Sequence, residues 1–156
     1  VTTTHHYDLG LHWTGNLGTG TATYRGYGRD HEVTADGLPP IPGSSDLSFR
    51  GDPARWNPEQ LLVASIAQCH MLWYLHLAAG AGVVVTDYAD TPTGAMLEEP
   101  NGSGQFSEVT LRPRVTIDAN SDPHLAEELH ERVGDYCFIA RSVNFAVLHE
   151  PTTLTA

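Results

Sequence analysis

The chain of 156 residues carries 19 acidic side chains against 8 basic ones, a formal net charge of −11. All eight cations are arginines, and the absence of lysine excludes a P-loop lysine, a Schiff-base lysine and a lysine general base. So acidic a chain with no basic run is repelled by nucleic acid and by anionic lipid, so neither nucleic acid nor membrane is an expected partner. The length suits a single domain over residues 1–156. The start, VTTTHHYDLGLHW, lacks the basic and apolar segments of a signal peptide, which makes the cytoplasm the expected compartment.

In chain order, Tyr7, Leu9, Leu11 and Trp13 alternate with polar residues and predict a half-buried strand. A turn at Gly15–Gly18 leads to a predicted second strand over 19–28 and a third over 31–35. Residues 37–56, rich in Pro, Gly and Ser, read as one long loop. Asn57-Pro58-Glu59-Gln60 is a strong helix start: an N-cap, a proline at the first helical position and a capping-box glutamine. The helix is predicted to run to about Ala79 and to stop at Gly80-Ala81-Gly82. It is apolar on nearly every side, the mark of a fully buried core helix or of a membrane span. Ser65, Gln68, His70 and His76 interrupt it on different faces and favour the core.

Strands follow over 83–89, 94–99 and 106–118, the last two as a hairpin around Pro100–Gly104. Val109, Leu111, Val115 and Ile117 share one face of the second arm. Asp122-Pro123 opens a second helix with Leu125, Ala126, Leu129, Val133 and Tyr136 inward, and Val143, Phe145 and Val147 form a last strand. The expected order is βββ-α-βββ-α-β, an α+β fold.

Two cysteines are the chemically distinctive residues, and neither lies in a CxxC motif. Cys69 sits deep in the first helix with Ser65, Ile66, Leu72 and Trp73 on its face. The helix N-terminus is roughly 15 Å away at 1.5 Å per residue, too far for its dipole to favour a thiolate. A reactive Cys69 therefore needs a cation from elsewhere, and without lysine that is an arginine or a histidine. An inert core cysteine remains the plainer reading of these residues alone. Glu59 lies ten residues before Cys69, so one straight helix keeps them apart. His70 points about 100° away from Cys69, and His76 lies two turns along the Cys69 face. Both suit core or pocket positions better than a catalytic base.

The Asn57-Pro58-Glu59-Gln60-Leu61-Leu62 block, Cys69 ten residues after the glutamate, and Cys137-Phe138-Ile139-Ala140-Arg141-Ser142-Val143 resemble the OsmC/Ohr family. This is the osmotically induced protein C and organic hydroperoxide resistance group, and the resemblance covers nearly the whole chain. It implies an intertwined homodimer in which two antiparallel sheets wrap long central helices. It implies a thiol peroxidase for organic hydroperoxides in oxidative-stress defence, with no metal or flavin. Cys69 matches the peroxidatic cysteine, Cys137 the resolving cysteine that closes a disulfide with it, and Glu59 the carboxylate that holds an arginine. Arg50 is the best match for that arginine, with Arg25 and Arg29 as alternatives. Ile66, Leu72 and Trp73 would form the substrate wall, and an external dithiol, a lipoyl group by resemblance, would be the reductant. His70 and Phe138 depart from the family's usual aromatic and proline. The alternative is a non-catalytic member that binds an apolar ligand or partner in the dimer groove.

Overall fold

A computed structural model describes all 156 residues, which fall into two compact units, 1–61 and 62–156. In the first unit, β1 (Gly10–Trp13), β2 (His31–Thr34) and β3 (Ile41–Gly43) form an antiparallel meander, with Leu11 opposite Val33 and Val33 opposite Ile41. β3 lies inside the stretch expected to be loop.

The strand expected over 19–28 is not formed. Gly18 and Gly20 take positive φ of 120° and 57°, and the Asn16 side chain accepts both their N–H groups at 2.9 and 3.0 Å. This local turn competes with strand pairing. The Arg29 guanidinium bonds the carbonyls of Tyr24 and Tyr27 and lies over both rings, 4.7 and 3.8 Å from their centroids. Arg55 ties the meander to the chain that follows it, donating to the carbonyls of Gly43 and His31 and pairing with Glu32 at 2.7 Å.

The helix start forms as expected. Gln60 N–H donates to Asn57 Oδ1 at 2.8 Å, and Asn57 N–H donates to Gln60 Oε1 at 3.1 Å, a reciprocal capping box. Helix α1 runs Pro58–Ala81 and ends at Gly82, whose φ of 76° closes the terminus.

The second unit holds the rest of α1, then β4 (Val85–Asp90), β5 (Thr93–Glu98), β6 (Gly104–Leu111), β7 (Pro113–Ile117), α2 (Pro123–Val133), β8 (Ala146–His149) and β9 (Thr152–Thr155). The α+β class stands, but the order is βββ-α-ββββ-α-ββ. The expected arm 106–118 divides at Arg112-Pro113. Proline has no N–H for a continuous ladder, and the chain passes there from one sheet to another. The last strand starts later than expected and is followed by β9, beyond Glu150-Pro151.

Two three-stranded mixed sheets result, in place of purely antiparallel ones. β7 pairs antiparallel with β4 and parallel with β9, while β6 pairs antiparallel with β5 and parallel with β8. Val109, Leu111, Val115 and Ile117 are all fully buried, two on each sheet. Helix α2 starts at the Asp122 cap, which accepts the His124 N–H at 2.9 Å, and buries Ala126, Leu129 and Val133 as expected. Tyr136 lies past its end and is exposed.

Cys69, Tyr74 and Ala78 of α1 pack with Val115 and Ile117 of β7, with Ala126, Leu129 and Val133 of α2, and with Cys137. A second cluster joins Ile66 to Val109 and Leu111 of β6. The Tyr74 hydroxyl donates to the Ala126 carbonyl at 2.9 Å and ties the two helices together. Within one chain, α1 is buried along one stripe rather than all round. Ile66, Cys69, His70, Tyr74 and Ala78 are its buried residues, and most of its other apolar side chains stay partly exposed, Leu72 at 61%. By length and composition α1 also satisfies a membrane span.

Candidate active site

α1 carries Cys69 and the turn after α2 carries Cys137, so the site is made by two segments far apart in sequence. The segment around Cys137 is locked by its own backbone. Cys137 N–H donates to the Val133 carbonyl at 2.9 Å, Arg141 N–H to the Cys137 carbonyl at 3.1 Å, and Ser142 Oγ–H to the Phe138 carbonyl at 2.7 Å. The Arg141 guanidinium donates to the Asp135 carbonyl at 2.8 Å. Both cysteines are free thiols, buried in the same apolar cluster.

The two side chains share this cluster closely enough for each thiol to influence the other. Burial, and then the neighbouring Cys69, push the Cys137 thiol up to about 11. Ala140 N–H donates to the Cys137 sulfur at 3.5 Å and pulls weakly the other way. Cys137 is therefore held protonated at neutral pH. Cys69 is also the more accessible thiol, at 9% exposure against 1%.

Next to this pair lies a cluster that sequence spacing did not reveal. His70 Nε2 and His130 Nδ1 share a hydrogen bond of 2.9 Å, with the rings nearly coplanar at 6°. Tyr74 stacks on His130 at 4.0 Å, and the His149 ring lies 5.8 Å from His70. Burial drives His70 down to about 4 and His130 down to about 3, and the facing imidazoles add to both shifts. Both are neutral at pH 7. No three His, Cys, Asp or Glu side chains are grouped to hold a metal ion. The one signal in the sequence was His70 in place of an aromatic residue, since His130 and His149 are too distant in the chain to be paired with it by pattern.

The remaining candidate residues are placed as follows. Ile66 is buried and lines a cavity of about 70 Å³ together with His70, Cys137 and His149. Trp73 stacks on Tyr136 at 5.2 Å and meets Phe138 edge-on at 5.5 Å, so the residues flanking Cys137 cover the helix one turn beyond Cys69. Leu72 faces out. Glu59 is partly buried, and its Oε2 has no hydrogen-bond partner. Arg50 is exposed, with φ of 65°, at the end of a short 3-10 turn, and forms no ion pair with Glu59. Arg25 is exposed, and Arg29 is committed to Tyr24 and Tyr27. His76 is exposed against Trp73.

A family model described as OsmC-like protein matches residues 51–151. The chain belongs to the OsmC-like family. No curated protein matches it. Among solved structures, an OsmC-like protein of unknown function from Vibrio cholerae is 28% identical, with 95% of this chain and 99% of that one covered and a TM-score of 0.84. The organic hydroperoxide resistance protein OsmC from Legionella pneumophila is 18% identical, covers 98% and 99%, and has a TM-score of 0.69. The organic hydroperoxide resistance protein of Bacillus subtilis is 20% identical, covers 94% and 98%, and has a TM-score of 0.61. The last two establish a shared OsmC-like fold.

The neutral histidine pair makes this OsmC-like protein acid-sensitive. The folded values near 4 and 3 lie below the unfolded value of 6.5, so below pH 6.5 the unfolded chain binds up to two more protons than the folded one. Stability is complete above pH 6.5 and falls as the pH drops towards 4, with a slope of up to about 2.7 kcal/mol per pH unit. Urea denaturation at pH 7, 6 and 5 should show this fall, and His130→Phe should flatten it. Equal slopes in the two proteins would assign the acid sensitivity elsewhere.

Proposed function

We propose that this protein is a cysteine-based peroxidase that reduces organic hydroperoxides, and hydrogen peroxide more weakly, in oxidative-stress defence. The observation that carries this reading is the pair of free thiols buried in one cluster, with Cys137 held protonated under the influence of Cys69. Cys69 is the nucleophile. Its thiolate attacks the outer peroxide oxygen, the O–O bond breaks, and an alcohol leaves with a proton. Cys69 becomes a sulfenic acid, and Cys137 condenses with it to give a disulfide and water. An external dithiol, for which a lipoyl group is suited, returns both thiols. Two thiols kept free in one cluster fit a reducing compartment such as the cytoplasm.

Ile66 and Trp73 supply apolar surface for the organic part of the peroxide, while Leu72 lies outside that wall. Printed descriptions of structural relatives as organic hydroperoxide resistance proteins agree with this substrate class. The rival reading, a binder of an apolar ligand or partner in the dimer groove, predicts no peroxide turnover and is separated from the enzyme by the variants below.

In Cys69→Ser protein, peroxide consumption should vanish. In Cys137→Ser protein, one turnover should remain and Cys69 should over-oxidise to the sulfinic acid. Steady-state turnover persisting in Cys69→Ser protein would refute the peroxidase.

The cation that supports the Cys69 thiolate is assigned to Arg50, with Arg25 and Arg29 as the alternatives and Glu59 as its carboxylate partner. Glu59 Oε2 has no partner and the Arg50 guanidinium is in no ion pair, so the carboxylate is free to accept from it. Arg50→Ala should slow Cys69 alkylation by iodoacetamide at pH 7 about tenfold, while Arg132→Ala leaves it unchanged. A slowing seen only in Arg25→Ala or Arg29→Ala would move the role to that residue.

The chain is read as one OsmC-like domain, since solved relatives align over 94–98% of it and the family match crosses the boundary between the units. It is further read as a homodimer. A helix apolar on all sides but buried along one stripe needs a second cover, and obligate interfaces supply 2,000 Å² or more. Light scattering at micromolar concentration should give twice the 16.9 kDa chain mass, and a folded monomer would contradict the dimer.

A further inference from the structure

The disulfide step of the proposed peroxidase has a requirement that the thiol pair alone does not meet. Cys137 attacks as a thiolate, yet burial holds it protonated. The cavity of about 70 Å³ is lined by Cys137, His70 and His149 and has room for water, which needs roughly 10–15 Å³. His149, the last residue of β8, is set opposite Leu111 of β6 by the strand register. Its Nε2 faces Glu131 Oε2 of α2 at 3.9 Å, and its Nδ1 is buried without a partner. A proton on Nε2 would point toward this carboxylate and leave the buried Nδ1 lone pair as an acceptor.

We propose that His149 is the general base for Cys137 during disulfide closure, acting through one water in this cavity, with Glu131 as the residue that positions its ring. His70 faces the same cavity but its Nε2 is engaged with His130. His149, with its side chain 20% exposed, is the imidazole that can exchange protons with solvent.

His149 takes the Cys137 proton by way of the water. The thiolate attacks the Cys69 sulfur, the S–S bond forms and the S–O bond of the sulfenic acid breaks. The departing hydroxide recovers the proton from His149 and leaves as water. Cys137 sulfur is oxidised and Cys69 sulfur reduced by one electron each, so no further reactant is needed.

This inference rests on the peroxidase reading, and rapid-quench experiments with cumene hydroperoxide separate the two. Dimedone labelling reads the Cys69 sulfenic acid, and intact mass reads the disulfide. In His149→Gln, sulfenic acid should form at the wild-type rate while closure slows about 10²-fold. The wild-type rise of closure with pH should flatten in the same variant. The groups facing His149 that shape this rise are His70 of α1, His130 and Glu131 of α2, and Cys137. Glu131→Gln, at an exposed position, keeps the test open if His149→Gln does not fold; closure should slow several-fold with a displaced pH profile. Wild-type closure rates and pH profile in a folded His149→Gln, or failing that in Glu131→Gln, would overturn the role of His149. Wild-type protein in which cumene hydroperoxide yields neither dimedone-labelled Cys69 nor a disulfide would instead overturn the peroxidase reading itself.

Discussion

Cys69 and Cys137 share the buried apolar cluster around which the second unit packs. The two residues come from α1 and from the turn after α2, and the rest of that unit brings those segments together. Val115 and Ile117 of β7 and Leu129 and Val133 of α2 form the apolar floor beneath them. The Tyr74–Ala126 hydrogen bond ties the helices. The backbone bonds from Cys137 to Val133 and from Arg141 to Cys137 fix the second thiol in this cluster. A buried thiol resists ionisation, and burial beside Cys69 holds the Cys137 thiol protonated.

The same core holds His70, His130 and Tyr74 in a hydrogen-bonded and stacked group. Buried polar groups are tolerated when they satisfy one another, and here the His70–His130 bond does most of that, though His130 Nε2 stays unpartnered. The arrangement keeps imidazoles neutral within reach of the thiol site at the cost of stability in acid. It also explains a departure visible in the sequence. An imidazole after Cys69, unlike an aromatic ring, can bond to α2.

Local signals were legible where the chemistry is local. The Asn57–Gln60 capping box, the Asp122-Pro123 start and the glycine stop of α1 follow from side chains a few residues apart. The failures have physical causes. Residues 19–28 have strand-like composition, but Asn16 and two glycines of positive φ take the backbone into turns. Pro113 splits one apparent strand between two sheets. The apolar pattern of α1 predicted burial, but a single chain covers only one stripe of it. The cysteines were singled out by motif, whereas their shared cluster, and the approach of His130 and His149 to His70, depend on packing between distant segments that no local pattern encodes.

Whether Cys69 and Cys137 form a working redox pair is decided by peptide mapping with mass spectrometry after one equivalent of organic hydroperoxide. A redox pair gives one Cys69–Cys137 cross-linked peptide, two hydrogens lighter than the reduced pair and restored by a lipoyl dithiol. Recovery of both cysteines as free thiols, with the peroxide unconsumed, would contradict it.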